Sequence, residues 1–505
     1  MPLVAGVDSS TSACKVEVRD ADSGELVARG RAAHPATTPP RSEQHPRHWW
    51  DAFEAACAEA GVFDRNRPAS ISVAGQQHGL VVLGADGSVL RPAKLWNDTE
   101  SAADADALVA ALDGGAAGWA RACGSVPLAA FTITKLRWLR RSEPEVFARI
   151  ARVALPHDWL TGRLTGRHTT DRGDASGTGW WSPHEERYRA DLLALVDDSV
   201  DWAPMLPEVL APADVAGEWR GMVVAPGTGD NMAAALGLGL RAGDVALSLG
   251  TSGTAFCVSD HPTADGSGTV AGFADATGRY LPLVCTLNAT KVTDAVARLL
   301  GVGAAELDRL ALAAPPGADG LVLVPHLDGE RTPNRPGATG TLTGLRSDVT
   351  REALARAAFE GVVANLLAGA DELARAMTKN IMRGVADHGS SLATTPDEGD
   401  PGVSESREPG AAHGRVVLIG GGARSAAYRQ VVADLLGRAV IVPEAQELVA
   451  RGAALQAAVV LTGRSFDDVA RAWGMDGAKT VDTDPSVDGV GIRAACARAA
   501  ADAGR

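Results

Sequence analysis

Two stretches of the sequence follow one plan: "VAGVDSSTSACKVEV" at 4–18 and "VALSLGTSGTAFCVS" at 245–259. Each reads as an apolar strand, a tip of small hydroxyl residues or glycine, and a second strand. A plan written twice points to two similar halves, each carrying a hairpin whose tip lets backbone N–H groups and hydroxyls approach an anion closely. Two such tips facing one cleft suit a polyphosphate. The chain has 505 residues, too many for one hydrophobic core, so two or more domains are expected, with a cleft between them as a natural ligand site.

Composition narrows the function classes. Charged residues make up 22% and the net charge is −14, with no basic run of the kind a phosphate backbone needs, which argues against a nucleic-acid partner. The six cysteines form no CxxC pair, so neither a zinc site nor a disulfide framework is expected, and a reducing cytoplasm fits. The opening "MPLVAGVDSS" meets an aspartate too early for a signal-peptide core, and no apolar run approaches the roughly 20 residues that span a bilayer. A cytoplasmic protein without a membrane partner is the expectation.

Further elements place the candidate residues. "ISVAG" (71–75) is a strand, "LVVLGADGSVLRP" (80–92) a hairpin with an Asp-Gly turn, and "ITKLRWLRRSEPEVFARIARV" (133–153) a helical stretch broken near Pro144. "GRVVLIGGGARSAAYRQVVADLLG" (414–437) is strand, glycine turn, helix, a nucleotide-binding form. The segment 378–413 is polar, rich in Gly, Ser and Pro and without period, and reads as a flexible insertion.

Five constellations carry chemistry. Asp8 closes a strand and is followed by Ser9, Ser10, Thr11, Ser12 and Lys15; a carboxylate there suits Mg2+ while hydroxyls and N–H groups meet phosphate oxygens. An Asp bonding its own hairpin loop is the plain alternative. "SLGTSGT" (248–254), with Gly250, Thr251 and Ser252, and "LIGGGARS" (418–425), with Gly421, Gly422 and Arg424, are weak singly and stronger as a set. Neither is a Walker loop. In "GQQHG" (75–79), Gln77 and His78 sit at a strand's carboxyl end and suit the hydroxyls of a polyol, although a structural histidine fits the local pattern too. In "GTGDN" (227–231), Asp230 precedes an alanine-rich helix; it reads as an N-cap, and a helix start keeps a carboxylate ionised and fit to accept a hydroxyl proton.

Taken in order, "GVDSSTSACK", "EQHPRHWW", "GQQHG", "LWND", "LPHDWLTGRLTG", "DASGT", "GTGDN", "SLGTSGT", "PHLDGERTPNRP", "LARAAFEGV" and "LIGGGARSAAYRQ" resemble the motifs of the FGGY carbohydrate kinase family over nearly the full length. The resemblance implies an α/β fold of two ribonuclease-H-like (actin-like ATPase) domains, a sugar-binding one at 1–238 and a nucleotide-binding one at 239–505. It implies ATP-dependent phosphorylation of a ketose, with "GQQHG" and "PHLDGERTP" favouring D-xylulose over ribulose, gluconate or glycerol. It further implies Asp230 as general base, Gln77, His78 and Asn231 on the sugar, and Asp8 at the Mg2+–phosphate end. Thr11, Ser12, Lys15, Gly250, Thr251 and Ser252 would follow the phosphates, and Gly421, Gly422 and Arg424 the adenosine. A homodimer is compatible with it. A nucleotide-gated regulator on the same fold is the reading from a different class. Three departures stand out: Ser10 where relatives carry glycine, Glu100 after "LWND" where an arginine is common and where reversed charge bears on the choice of sugar, and the long stretch 378–413.

Overall fold

The computed structural model describes residues 2–388, 414–445, 447–475 and 477–503. They form two units: Met1–Leu240 with Ala264–Leu281 and Ala445–Gly477, and Arg241–Thr263 with Pro282–Glu444 and Ala478–Arg505.

The first unit is built on strands β1 (Leu3–Ser9), β2 (Ala13–Asp20), β3 (Leu26–Ala33), β4 (Ser70–Gly75), β5 (Gly217–Trp219) and β6 (Met222–Val224), in the order β5-β6-β4-β1-β2-β3. β1 runs antiparallel to β2 with Ser9 opposite Cys14, and parallel to β4 with Ser9 opposite Gly75. A two-residue strand, Thr228–Gly229, extends the end of β4 in parallel. Three carboxyl ends therefore gather at one sheet edge, carrying Asp8, Gln77 and Asp230. Ligands of open parallel sheets bind at such an edge.

Helices cover both faces of that sheet. Pro46–Ala60 opens on a proline, buries Trp49, Phe53 and Cys57 toward β2 and β3, and stops at Gly61 in the left-handed region. Leu448–Thr462 packs on β1 and β4. Its face is small, with Ala450, Gly452, Ala453 and Ala454 buried, and a Cβ at Gly6 of β1 would lie 1.9 Å from the Ala450 carbonyl oxygen. This backbone-to-backbone fit joins residues 445–477 to the first unit.

The second unit repeats the hairpin plan. Its strands β7 (Val245–Leu249), β8 (Gly253–Cys257), β9 (Tyr280–Thr286), β10 (Val416–Ile419), β11 (Val440–Pro443) and β12 (Ala478–Val481) lie in the order β9-β8-β7-β10-β11-β12. β7 and β8 form the expected hairpin, and β7 runs parallel to β10 with Ser248 opposite Ile419. That register sets the Gly250 tip beside the glycine turn that follows β10.

Some sequence readings are revised. Val81–Leu83 does turn back through Asp86-Gly87 to a single bridge at Val89, but its strand partner is Arg152–Ala154. The insertion expected at 378–413 begins inside a helix, Arg351–His388, whose part Arg351–Thr378 is long and apolar enough to span a bilayer, yet 78% of its apolar 18-residue window is buried. It is a core helix. Residues 389–413 of that stretch lie outside the described residues.

Candidate active site

In the first unit the structure brings Gln77, Asp230 and Asn231 together. Asn231 Nδ2 donates to Gln77 Oε1 at 2.7 Å and to Asp230 Oδ1 at 3.1 Å, and the Asn231 backbone N–H donates to the same Asp230 oxygen at 2.9 Å. Gln77 Nε2 is buried and has no hydrogen-bond partner among the described residues, which leaves a donor for a ligand. His78 has φ 64 and lies stacked on Phe131, with centroids 5.1 Å apart and planes 10° from parallel, and Phe273 stands 5.3 Å away. A Cβ at Gly177 would meet His78 Cε1 at 2.3 Å, so the ring is held on all these sides.

Two expectations about Asp230 change. Gly229 is the N-cap, with φ −68 and ψ 155, and Asp230 is the first residue of the helix Asp230–Gly237. The helix start does not keep its pKa low. Burial, followed by the Asp8 charge, pushes the carboxyl from its ordinary 3.8 up to about 7. A carboxyl with that value can exchange a proton near neutral pH, whereas a permanently ionised group holds none to exchange.

Asp8 is the next-to-last residue of β1 and accepts a hydrogen bond from Lys15 at 3.2 Å; Lys15 also pairs with Glu447 at 2.8 Å. Burial outweighs Lys15 and pushes Asp8 up to about 6. Asp8 Oδ1 is buried without a partner. Thr11 donates to Gln76 Oε1 at 3.2 Å and accepts from Trp96 Nε1 at 2.9 Å, and Ser12 is exposed at the hairpin tip. Ser10 closes the same tip by donating to the Ala13 carbonyl at 3.0 Å without a positive φ, so no glycine is needed there.

In the second unit the Gly250–Ser252 tip closes on itself, Gly250 N–H donating to the Ser252 carbonyl at 3.0 Å, while Thr290 N–H donates to the Gly250 carbonyl at 2.9 Å. Gly420 has φ 87 and a Cβ there would lie 2.6 Å from the Leu249 oxygen, so the turn carrying Gly421, Gly422 and Arg424 is pressed against the end of β7. A cavity of about 410 Å³ opens beside them, lined also by Thr290, Asp294, Asp308, Phe359 and Tyr428. Asp308 fixes the turn by accepting from Ser425 Oγ at 2.7 Å and Ala426 N–H at 3.0 Å. The loop before Thr290 is clamped by Glu330 of "PHLDGERTP", which accepts from Leu287 N–H at 2.6 Å and Asn288 Nδ2 at 3.0 Å.

Glu100 does not present a free reversed charge. It pairs with Lys94 at 2.5 Å and Arg41 at 3.2 Å. Burial would raise its pKa, but the bonds from Lys94 and Arg41 win and hold it below the ordinary value. The carboxylates of Glu43, Asp98 and Glu100 lie close enough to share a cation, and the buried Lys94 ammonium fills that role at 3.2, 3.0 and 2.5 Å.

Sequence reasoning assigned no role to the buried group of His157, Asp158, Asp171 and Asp174 behind Asp230, nor to Phe131, Phe273, Asp294 and Asp308. The signal for the first group was in "LPHDWL" and "TTDRGDASG", where carboxylates stand among residues that fold inward.

Residues 3–237 match the model of the FGGY family of carbohydrate kinases, N-terminal domain, and residues 245–461 match the corresponding C-terminal domain. The chain belongs to the FGGY family of carbohydrate kinases. It is 49% identical over 481 residues to the xylulose kinase of Streptomyces coelicolor, covering 94% of this chain and 91% of that one. The xylulose kinase of Streptomyces rubiginosus is 48% identical with the same coverage. The crystal structure of xylulose kinase from Bifidobacterium adolescentis superimposes with a TM-score of 0.78 at 38% identity, covering 99% of each chain.

Proposed function

We propose that this chain transfers the γ-phosphoryl group of ATP to the 5-hydroxyl of D-xylulose, giving D-xylulose 5-phosphate and ADP. Close similarity to xylulose kinases over 94% of the chain supports the substrate. The observation that carries the mechanism is the Asp230 carboxylate, pushed up to about 7 and hydrogen-bonded into the Gln77–Asn231 pair. Gln77, His78 and Asn231 hold the sugar hydroxyls, and Asp230 orients the 5-hydroxyl and takes its proton as it attacks. Phosphate contacts are assigned to Thr11, Ser12 and Lys15 of the first unit and to Gly250, Thr251 and Ser252 of the second, whose tips carry hydroxyls and N–H groups. Adenosine lies against Gly421, Gly422 and Arg424, at the 410 Å³ cavity.

Asp8 fits a Mg2+ ion, since its Oδ1 is a buried carboxylate oxygen lacking a partner and hard oxygen donors are what this ion takes. When bound there, the ion would neutralise phosphate charge. Residues 1–238 supply the sugar side, together with 264–281 and 445–477, because Phe273 and Glu447 reach His78 and Lys15. A cytoplasmic setting suits the six free cysteines. A homodimer is the proposed assembly, to be checked by sedimentation.

The test is ADP release across a panel of D-xylulose, ribulose, gluconate and glycerol. D-xylulose is expected to give the highest kcat/KM, and a preference of about tenfold or more for another member overturns the substrate. D230N is expected to lower turnover by about 10²- to 10⁴-fold while binding ATP; near-normal turnover would remove Asp230 from the role of base.

A further inference from the structure

Behind Asp230 lies a buried array that touches no position assigned to a ligand. His157 is wholly buried, and its Nε2 stands 3.1 Å from Asp158, 3.2 Å from Asp171 and 3.4 Å from Asp174. Burial opposes charge on this imidazole, yet the three carboxylates prevail and push it up to about 9. The array therefore favours the protonated imidazole. Its carboxylate partners are tied in turn to backbone: Asp158 accepts from Leu155 N–H at 2.8 Å, and Asp171 accepts from Gly173 N–H at 2.8 Å and Asp174 N–H at 3.0 Å.

The array has one polar exit toward the base. Thr228 Oγ1 donates to Asp171 Oδ2 at 2.7 Å, two residues before Asp230. The imidazole also lies directly against both segments that carry sugar-side residues. A Cβ at Gly75 would lie 3.0 Å from His157 Cβ, and one at Gly227 would lie 2.9 Å from His157 Nδ1. Gln456 adds a second tether by donating to the Gly227 carbonyl at 3.2 Å. The turn that starts the Asp230 helix is thus held from below, by hydrogen bond and by contact, through groups with no solvent access.

Resting on the assignment of Asp230 as base, we propose that Thr228 and His157 are positioning residues, which through Asp171 fix the turn that aims the Asp230 carboxylate at the sugar hydroxyl. Small misplacements of a reacting group cost rate more than binding. Losing the Thr228 bond should therefore lower kcat with little effect on KM.

The experiment measures kcat and KM for D-xylulose and ATP in T228V, T228S and H157Q, each in the native and the D230N background. T228V keeps shape and removes the hydroxyl. It is expected to lower kcat by about 10- to 100-fold with both KM values within about threefold, and T228S to restore most of the loss. In the D230N background neither T228V nor H157Q should lower the residual rate further, because they act through the missing carboxylate. A folded T228V with native kcat, or an equal loss in both backgrounds, overturns the proposal. Should H157Q fail to fold, the T228V and T228S pair decides alone. The base assignment fails separately, through a D230N single variant that retains turnover.

Discussion

Asn231 Nδ2 donates to Gln77 Oε1 at 2.7 Å and so joins two segments 154 residues apart in sequence. The bond orients both amides, leaving Gln77 Nε2 buried with no partner until a ligand supplies one. An amide so placed binds hydroxyls without an ordering cost of its own. Q77A is expected to raise KM for D-xylulose about tenfold, the worth of one or two neutral hydrogen bonds, with KM for ATP unchanged. N231A should do the same, and the double variant should lose less than the product of the two, since each single change already releases the other amide. Steady-state kinetics on the three variants checks this.

The raised pKa of Asp230 makes opposite statements about rate and stability. As a base it works ionised, so kcat/KM for D-xylulose should rise with pH until about 7, and the slope should vanish from the residual activity of D230N. For stability the sign is reversed. A carboxyl whose folded pKa lies above its ordinary 3.8 contributes stability that is complete below that value and is lost as pH rises through about 7. D230N removes this loss, and at pH 7.5 without ligands it should be about 1–2 kcal/mol more stable than the native chain, less than the full shift implies because the carboxylate is partly exposed. Urea unfolding at pH 5 and pH 7.5 checks the sign: the gain should be clearly larger at the higher pH.

How far the sequence revealed this site depended on whether a residue's role was local. The hairpin tips at 9–12 and 250–252 were legible as turns because small hydroxyl residues and glycine between two apolar strands favour one. Asp230 was legible as a helix start but not in its pKa, since burial and the neighbouring Asp8 come from β1, more than two hundred positions away. Glu100 illustrates the same limit. Its place after "LWND", where an arginine is common in the family, suggested a reversed charge near the substrate side, and only the fold shows Lys94 and Arg41 closing around it. The return of Leu448–Thr462 to the first sheet left just its small residues as a trace, and small residues on a helix have many causes.

Lys94 and Glu100 should therefore differ sharply as targets. Lys94 is fully buried among three carboxylates and its ammonium lies 3.9 Å over the Trp138 ring. K94M leaves those carboxylates without their cation and is expected to cost about 3–5 kcal/mol. E100Q keeps a hydrogen-bond acceptor on a side chain that is 20% exposed and leaves Asp98 and Glu43 on the lysine, so its cost should stay near 1 kcal/mol. Because the charge is already neutralised, E100Q should also leave the order of sugar preference unchanged. Denaturant titration and the sugar panel test both statements, and a changed sugar order would return Glu100 to the substrate side.

The helix that carries Asp230 is seated by glycine against Leu448–Thr462. A Cβ at Gly452 would lie 1.8 Å from the Ala233 carbonyl oxygen, and one at Gly237 would lie 2.0 Å from that of Leu448. Both obstacles are backbone, which cannot rotate aside as a side chain does, so G452A must push the two helices apart. Overpacking of this kind costs about 1–3 kcal/mol or more. The displaced element bears the base, so a loss of kcat should accompany the loss of stability, with KM for ATP little altered. Gly337 has no atom within 4 Å of a built Cβ, and G337A provides the comparison, with stability and kcat both expected near native. If G452A lowered the melting temperature yet kept native turnover, the helix would be shown to hold Asp230 in place without the glycine contact, leaving that task to the Thr228 turn.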